Sequence, residues 1–226
     1  MATTEGEISV TLREQIEAFQ KQMAGRRSPE VAAAFAESIA ALHASGIAER
    51  ALKVGDRAPD FTLPNALGSP VTLSRLLEQG PAVVTFYRGD WCPYCNLQLR
   101  AYQAILPRIR AAGATLVAIS PQTPDKSLTT AEKKGLAFPV LSDVGNAIAR
   151  RYGLVFALAE ALRPLYTRIG SDLPTFNGDE SWELPIPGTF IVAQDGAVRL
   201  AYVDVDHTHR LEPEDLLAGL RAVAAA

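Results

Sequence analysis

The chain is poor in sulfur and imidazole: 226 residues include two cysteines, two methionines and three histidines. So few thiols exclude a disulfide-stapled scaffold. No apolar run reaches the length of about 18 residues that a membrane-spanning helix needs, so no span is expected. The opening stretch MATTEGEISV lacks the basic-then-apolar pattern of a secretory signal, and the expected location is the cytoplasm. Neither sign of charge dominates: 22 basic and 25 acidic residues give a net charge of −3. The basic residues are scattered, which argues against nucleic-acid or membrane partners.

What the chain does have is concentrated. Both cysteines fall in TFYRGDWCPYCNLQL, residues 85–99. In a reducing compartment a close cysteine pair is more often catalytic or metal-binding than a static staple.

The surrounding pattern is that of an α/β protein. Residues 8–50 read as two helices. Ile8, Leu12, Ile16, Phe19 and Met23 make one apolar stripe, and Val31, Phe35, Ile39 and Leu42 make the next. Ser28 is a good N-cap with Pro29 at the first helical position. These helices are expected to pack on the main domain, with pairing between two copies as the alternative. A boundary near residue 52 separates this extension from a domain covering 53–226. There, 82–88 and 114–120 read as buried parallel strands flanking a helix that starts at the cysteines. A further helix is expected near SLTTAEKKGL, a short strand at FPVLSD, and a helix capped by Asp143 or Asn146. Residues 163–187 read as irregular, 188–205 as a β-hairpin turning at QDG, and EPEDLLAGLRAVAA as a final helix.

If a helix opens at Trp91, Cys92 and Cys95 lie one turn apart on one face, within disulfide reach. Such a helix start also presents unpaired N–H groups and partial positive charge. Bringing a thiol from a pKa of about 8.5 to near 7 takes about 2 kcal/mol. The helix start supplies about 0.3–2 kcal/mol of that, and Arg88 or direct N–H donors could supply the remainder. A CxxC can also be half a zinc site, but only His43, His207 and His209 could complete it. An inert buried pair fits poorly with so polar a segment as GDWCPYCN. A redox pair is the reading the residues favour.

VGDRAPDFTL, the strand ending in FYR just before the cysteines, and LSDVGNAIARRYGL resemble the peroxiredoxins of the alkyl hydroperoxide reductase and thiol-specific antioxidant (AhpC/TSA) family. The resemblance runs from about residue 53 to 205. It implies a thioredoxin-like fold, a mixed sheet flanked by helices, carrying here an N-terminal helical extension. It also implies a thiol-dependent peroxidase without a cofactor, restored by a thioredoxin- or glutathione-type donor. Aligned on TFY, Cys95 takes the place of the peroxidatic cysteine, Cys92 that of the family's Thr, and Arg88 that of its Pro. Pro187 stands where the family has an arginine. WCPYC is instead similar to thioredoxin and glutaredoxin. By that likeness Pro187 is expected cis and facing the sulfurs, Cys92 is the more exposed, attacking thiol, and Cys95 resolves. The two registers leave the order of attack open. Trp91 is expected to face substrate, with Pro93 a supporting residue beside it, Tyr94 to be exposed in the motif's turn, and Asp90 to cap the helix. Arg88 is either a surface ion-pair partner or a thiolate stabiliser, and His207 and His209 are expected at the surface. The alternatives to a peroxidase are a reductase of protein disulfides and a non-enzymatic redox sensor or binding module.

Overall fold

The computed structural model describes residues 10–26 and 28–225. The chain begins with α1 (Leu12–Ala24), α2 (Pro29–Ala44) and the one-turn α3 (Ile47–Arg50). Thr11 and Glu14 form a reciprocal capping box at the start of α1. Leu12 and Ile16 are buried there. Glu212, two hundred positions away, accepts from the N–H groups of Leu12 at 3.1 Å and Arg13 at 2.7 Å. A carboxylate thus sits on the positive end of α1 and fixes it to the body. Ile8, the first residue of the expected stripe, lies outside the described residues. Ser28 caps α2. This helix faces the body through Val31, Ala34, Phe35, Ser38, Ile39 and Leu42, all half-buried, and none of its residues is fully buried.

The body follows with β1 (Thr62–Pro64), β2 (Pro70–Thr72), α4 (Leu73–Leu77), β3 (Ala82–Phe86) and α5 (Pro93–Ala104). The single helix expected after the cysteines is broken, because α6 (Leu106–Ala111) starts afresh beyond Ile105. Pro107 has no N–H to continue the ladder of α5. Next come β4 (Thr115–Ser120), α7 (Pro124–Lys134), β5 (Val140–Ser142), α8 (Ala147–Arg151) and β6 (Val155–Ala157). A 3₁₀ turn (Glu160–Leu162), α9 (Arg163–Arg168), α10 (Leu173–Asn177) and β7 (Glu183–Pro185) lead to β8 (Gly188–Val192), β9 (Val198–Val203) and α11 (Pro213–Ala224).

Five strands form the central sheet in the order β5-β4-β3-β8-β9. The pairs β3–β4 and β4–β5 are parallel, while β3–β8 and β8–β9 are antiparallel. This is the mixed, helix-flanked sheet of the thioredoxin-like fold. Every residue of β3 is buried. Val83 joins the cluster beneath α5 and α11, while Ala82, Val84 and Phe86 join the cluster on the other face, the two-residue alternation of a strand. The cysteines belong to the α5 side.

Residues 155–185, most of which read as irregular, are ordered. Strands β6 and β7 pair antiparallel, and Pro164 and Pro174 sit in the first turns of α9 and α10, where proline is tolerated. Leu158, Leu162, Leu165, Tyr166, Leu173 and Leu184 make a small core, with Trp91, Val31 and Phe35 at its margin. This segment and α2 together form a cap over the junction of β3 and α5. Among the described residues no helix is long and apolar enough to cross a membrane.

Candidate active site

The β3 strand delivers the chain into a tight turn at Gly89, whose φ is +148°. A Cβ there would lie 2.4 Å from Trp91 Nε1 and 2.8 Å from Gln122 Oε1, so only glycine fits. Gln122 Oε1 accepts from the Asp90 N–H, and the Cys92 N–H bonds to the Gly89 carbonyl at 3.1 Å. Helix α5 starts at Pro93, with Cys92 as its N-cap residue. Asp90 is therefore not the cap. Its carboxylate is taken by Lys134 of α7, and its carbonyl accepts from Asn96 Nδ2 at 2.7 Å. That pairing removes most of the acidic influence a neighbouring carboxylate would exert on the thiols.

The two sulfurs face each other at 2.8 Å. Cys95 lies in the first turn of α5, among its unpaired N–H groups. Arg210, from the segment between β9 and α11, places Nη2 at 3.5 Å from Cys95 Sγ. Burial alone would push the Cys95 thiol up. The hydrogen bond with Cys92 and the guanidiniums of Arg210 and Arg88 outweigh it and hold Cys95 at about 5. Burial, and then the neighbouring Cys95, push Cys92 well up. Cys95 is thus the more acidic sulfur of the pair and Cys92 the less acidic one.

Arg88 is 3% exposed, so its surface ion-pair role falls away. Its Nη2 donates to Tyr166 Oη, and its guanidinium lies 4.9 Å from the Trp91 ring centre. Arg210 is held by its Nη1 bond to the His209 carbonyl at 2.6 Å. Its segment is tied down by the Tyr102 hydroxyl, which donates to the Leu211 carbonyl at 3.1 Å. Tyr102 in turn accepts from Gln98 at 3.1 Å, and burial pushes its own hydroxyl up to about 12.

Several expectations are corrected. Neither thiol is exposed: Cys92 is 1% and Cys95 0% accessible. The cause is the cap, together with α1, whose Phe19 meets Tyr94 edge-on at 5.4 Å. Tyr94 is accordingly buried rather than exposed, and Pro93 is half-buried. Pro187 is trans, since no peptide bond among the described residues is cis. The Ile186 N–H bonds to the Leu154 carbonyl at 2.8 Å, and the extended path from β7 into β8 simply continues through Pro187. That residue is buried and borders, with Arg88, a small cavity under α2. His207 is half-buried against Tyr94 and Phe35, whereas His209 is exposed and paired with Asp204 at 2.8 Å. Arg210, Tyr166 and Gln122 were not among the residues the sequence singled out. Arg210 lies 115 positions from Cys95, and no local pattern joins them.

The AhpC/TSA family model matches residues 54–201. The chain belongs to the AhpC/TSA family. It is 32% identical over 157 residues to a Mycobacterium tuberculosis protein named as a peroxiredoxin, covering 70% of this chain and 88% of that one. It is 30% identical over 171 residues to the chloroplastic peroxiredoxin Q of Sedum lineare, covering 76% and 79%. Among solved structures, peroxidoxin BcpB from M. tuberculosis superposes with a TM-score of 0.60 at 26% identity, over 76% of this chain and 98% of that one. The protein is a peroxiredoxin-like oxidoreductase of thioredoxin-like fold. Its N-terminal extension, and Arg210, lie outside the stretch the family model covers.

Proposed function

We propose that this AhpC/TSA-family oxidoreductase reduces hydrogen peroxide or an organic hydroperoxide, with Cys95 as the attacking thiol and Cys92 as the resolving one. The observation that carries the assignment is the Arg210–Cys95 contact at 3.5 Å, which puts the cation on Cys95 rather than on Cys92. The thiolate is the nucleophile. Cys95 Sγ attacks the distal peroxide oxygen, the O–O bond breaks, and the departing alkoxide or hydroxide takes a proton from solvent. Cys95 becomes a sulfenic acid. Cys92 Sγ, 2.8 Å away in the reduced state, displaces the sulfenic oxygen, which leaves as water with the Cys92 proton. A thioredoxin- or glutathione-type donor returns two electrons by exchange. One chain completes the cycle, because the resolving thiol is within one helical turn.

The roles of the remaining residues follow. Arg88 adds a second cation near the sulfurs and is oriented by Tyr166 and the Trp91 ring. Pro93 rigidifies the first turn of α5, and Tyr94 seals it against α1. Pro187 lines the small cavity beside Arg88. Reduction of folded protein disulfides is the weaker reading, since neither sulfur is accessible in this closed form.

Stopped-flow oxidation of the reduced protein by hydrogen peroxide, followed by tryptophan fluorescence, tests the assignment. Cys95→Ser should abolish the first oxidation. Cys92→Ser should keep one oxidation and lose turnover. A wild-type rate no faster than that of free cysteine, or the reverse pattern in the two variants, would sink it.

A further inference from the structure

A polar pocket of about 340 Å³ lies between α1 and the segment that follows β9, within the size range of small-molecule sites. Of the residues that line it, Arg210 is the one that also hydrogen-bonds a sulfur, with Nη2 at 3.5 Å from Cys95 Sγ. The pocket therefore adjoins the nucleophile through a single side chain. Arg210 is 8% exposed, and its Nε–H has no acceptor among the described residues. A buried donor left without an acceptor is costly, and a ligand that supplies one removes the cost.

The other charged groups of the wall divide into engaged and free. The Glu212 carboxylate is taken by the N–H groups of Leu12 and Arg13, and His209 pairs with Asp204. Arg13 and Glu17 are different. They stand four residues apart on one face of α1, both line the pocket, and neither side chain makes a hydrogen bond or ion pair with the other or with any described residue. The Tyr202 hydroxyl ties the two ends together. Burial, and then the nearby Asp204, raise its pKa, so it stays a protonated donor, and the charges of Arg210, Arg13 and Glu212 all act on it. The wall thus offers a free cation and a free anion on α1, and a free donor on the side chain that touches the nucleophile.

We infer that this pocket binds the non-reacting part of an organic hydroperoxide that carries both a carboxylate and an ammonium group, an amino-acid or short-peptide hydroperoxide, and delivers its peroxide to Cys95 past Arg210. This rests on the peroxidase reading above. Arg13 takes the carboxylate and Glu17 the ammonium. The peroxide takes the place of the Arg210–Cys95 contact, and the guanidinium, still held by the His209 carbonyl, turns its donors onto the peroxide oxygens. Cys95 Sγ attacks the distal oxygen and the O–O bond breaks. The sulfur is oxidised to a sulfenic acid, and the departing alkoxide takes a proton from solvent to become an alcohol. Glutathione carries the same charges, but as a reductant it would sit at the wrong sulfur. Exchange runs faster when the thiol of lower pKa leaves. That thiol is Cys95, so the attack belongs on Cys92, whereas the pocket adjoins Cys95. Helix α1 lies outside the stretch that the family model matches, so this preference belongs to the N-terminal extension.

The test follows oxidation of the reduced full chain by hydrogen peroxide, by tert-butyl hydroperoxide and by valine hydroperoxide, which carries both charges. Valine hydroperoxide should react faster than the uncharged tert-butyl compound, and the ratio of their second-order rates is the readout. Arg13→Gln and Glu17→Gln, both at exposed positions, should each lower that ratio about fivefold, the upper worth of one exposed ion pair. Arg75→Gln in α4, outside the pocket, should leave it unchanged. N-acetylvaline hydroperoxide, which lacks the ammonium, should be insensitive to Glu17→Gln. Equal rates for the valine and tert-butyl compounds, or a ratio that survives both α1 substitutions, would overturn the inference and leave the peroxidase reading intact. Rates no faster than those of free cysteine for all three peroxides would bring down both. Glutathione reduction of the diamide-formed disulfide that slows in Arg13→Gln, with the hydroperoxide ratio unmoved, would give the pocket to the reductant and overturn the inference as well.

Discussion

Replacing Arg210 by methionine isolates the interaction that makes Cys95 the nucleophile. Methionine retains much of the stem's packing and removes the charge. Arg210 is 8% exposed, and its Nη2 lies 3.5 Å from Cys95 Sγ. A hydrogen bond to a charged group is worth about 1.5–3 kcal/mol. At 1.36 kcal/mol per pKa unit that amounts to about 1–2 units. Cys95, held at about 5 in the wild type, should then titrate between about 6 and 7. The assay is the ultraviolet thiolate band followed against pH, with the second-order rate of peroxide oxidation measured on the same samples. Both midpoints should move up together. Arg88→Met should move them less, because the Arg88 charge weighs less on Cys95 than that of Arg210, and Arg210→Lys should restore part of the shift. The same logic fixes the sign for stability. A thiol depressed to about 5 when folded and near 8.5 when unfolded adds stability that is complete above the unfolded value. That contribution is lost as pH falls through the folded one. The wild type should therefore gain stability with rising pH across this window, and Arg210→Met should begin to gain only at higher pH. A midpoint unmoved by Arg210→Met would mean that Cys92 and the helix start alone hold the thiolate, and the reasoning would fail.

Gly89→Ala should destabilise the protein by about 1–3 kcal/mol in urea unfolding and slow peroxide oxidation, since its Cβ would press on Trp91 and Gln122. Phe190→Ala should cost about 3–5 kcal/mol and leave the oxidation rate of the folded protein near wild type, because Phe190 packs with Phe86 and Tyr152 on the sheet face away from the cysteines. Arg210→Met should also make the dithiol–disulfide couple more reducing, by about 30 mV for each unit by which the Cys95 pKa rises. Equilibration with glutathione measures this, and an unchanged potential would contradict the charge assignment.

The strands were legible because a central, fully buried strand has little choice of residue. AVVTF and TLVAIS are runs of β-branched and apolar side chains, and they form β3 and β4. The cysteine pair was legible because its chemistry is local: three positions, one helical turn. The cap was not, because the apolar stripes of α1 and α2 reveal that each helix has a seat without saying where it is. The prolines of 163–187 suggested irregularity, yet Pro164 and Pro174 begin short helices. The same limit hid the cation. Tyr166 is 78 positions from Arg88, and Arg210 is farther still from its sulfur. Contacts across such separations are settled by the packing of whole elements, here by the Tyr102 bond that draws residue 211 to α5.

Burial of the two sulfurs does not disarm them, because the charges were buried with them. Two guanidiniums, Arg88 and Arg210, face a single thiolate. Arg88 is largely occupied by the Tyr166 hydroxyl and the Trp91 ring, which leaves Arg210 to the sulfur. Forming the disulfide takes away the sulfur that the two cations favour as a thiolate and leaves both cations in place, so the oxidised state carries the less favourable electrostatics. The return to the dithiol is therefore favoured by charge and restricted by access. A peroxide that drives the first half-reaction forward needs little room, and the reductant that drives the second needs a surface. Part of what closes the site, α1 with Phe19 edge-on to Tyr94, lies outside the stretch that the family model matches.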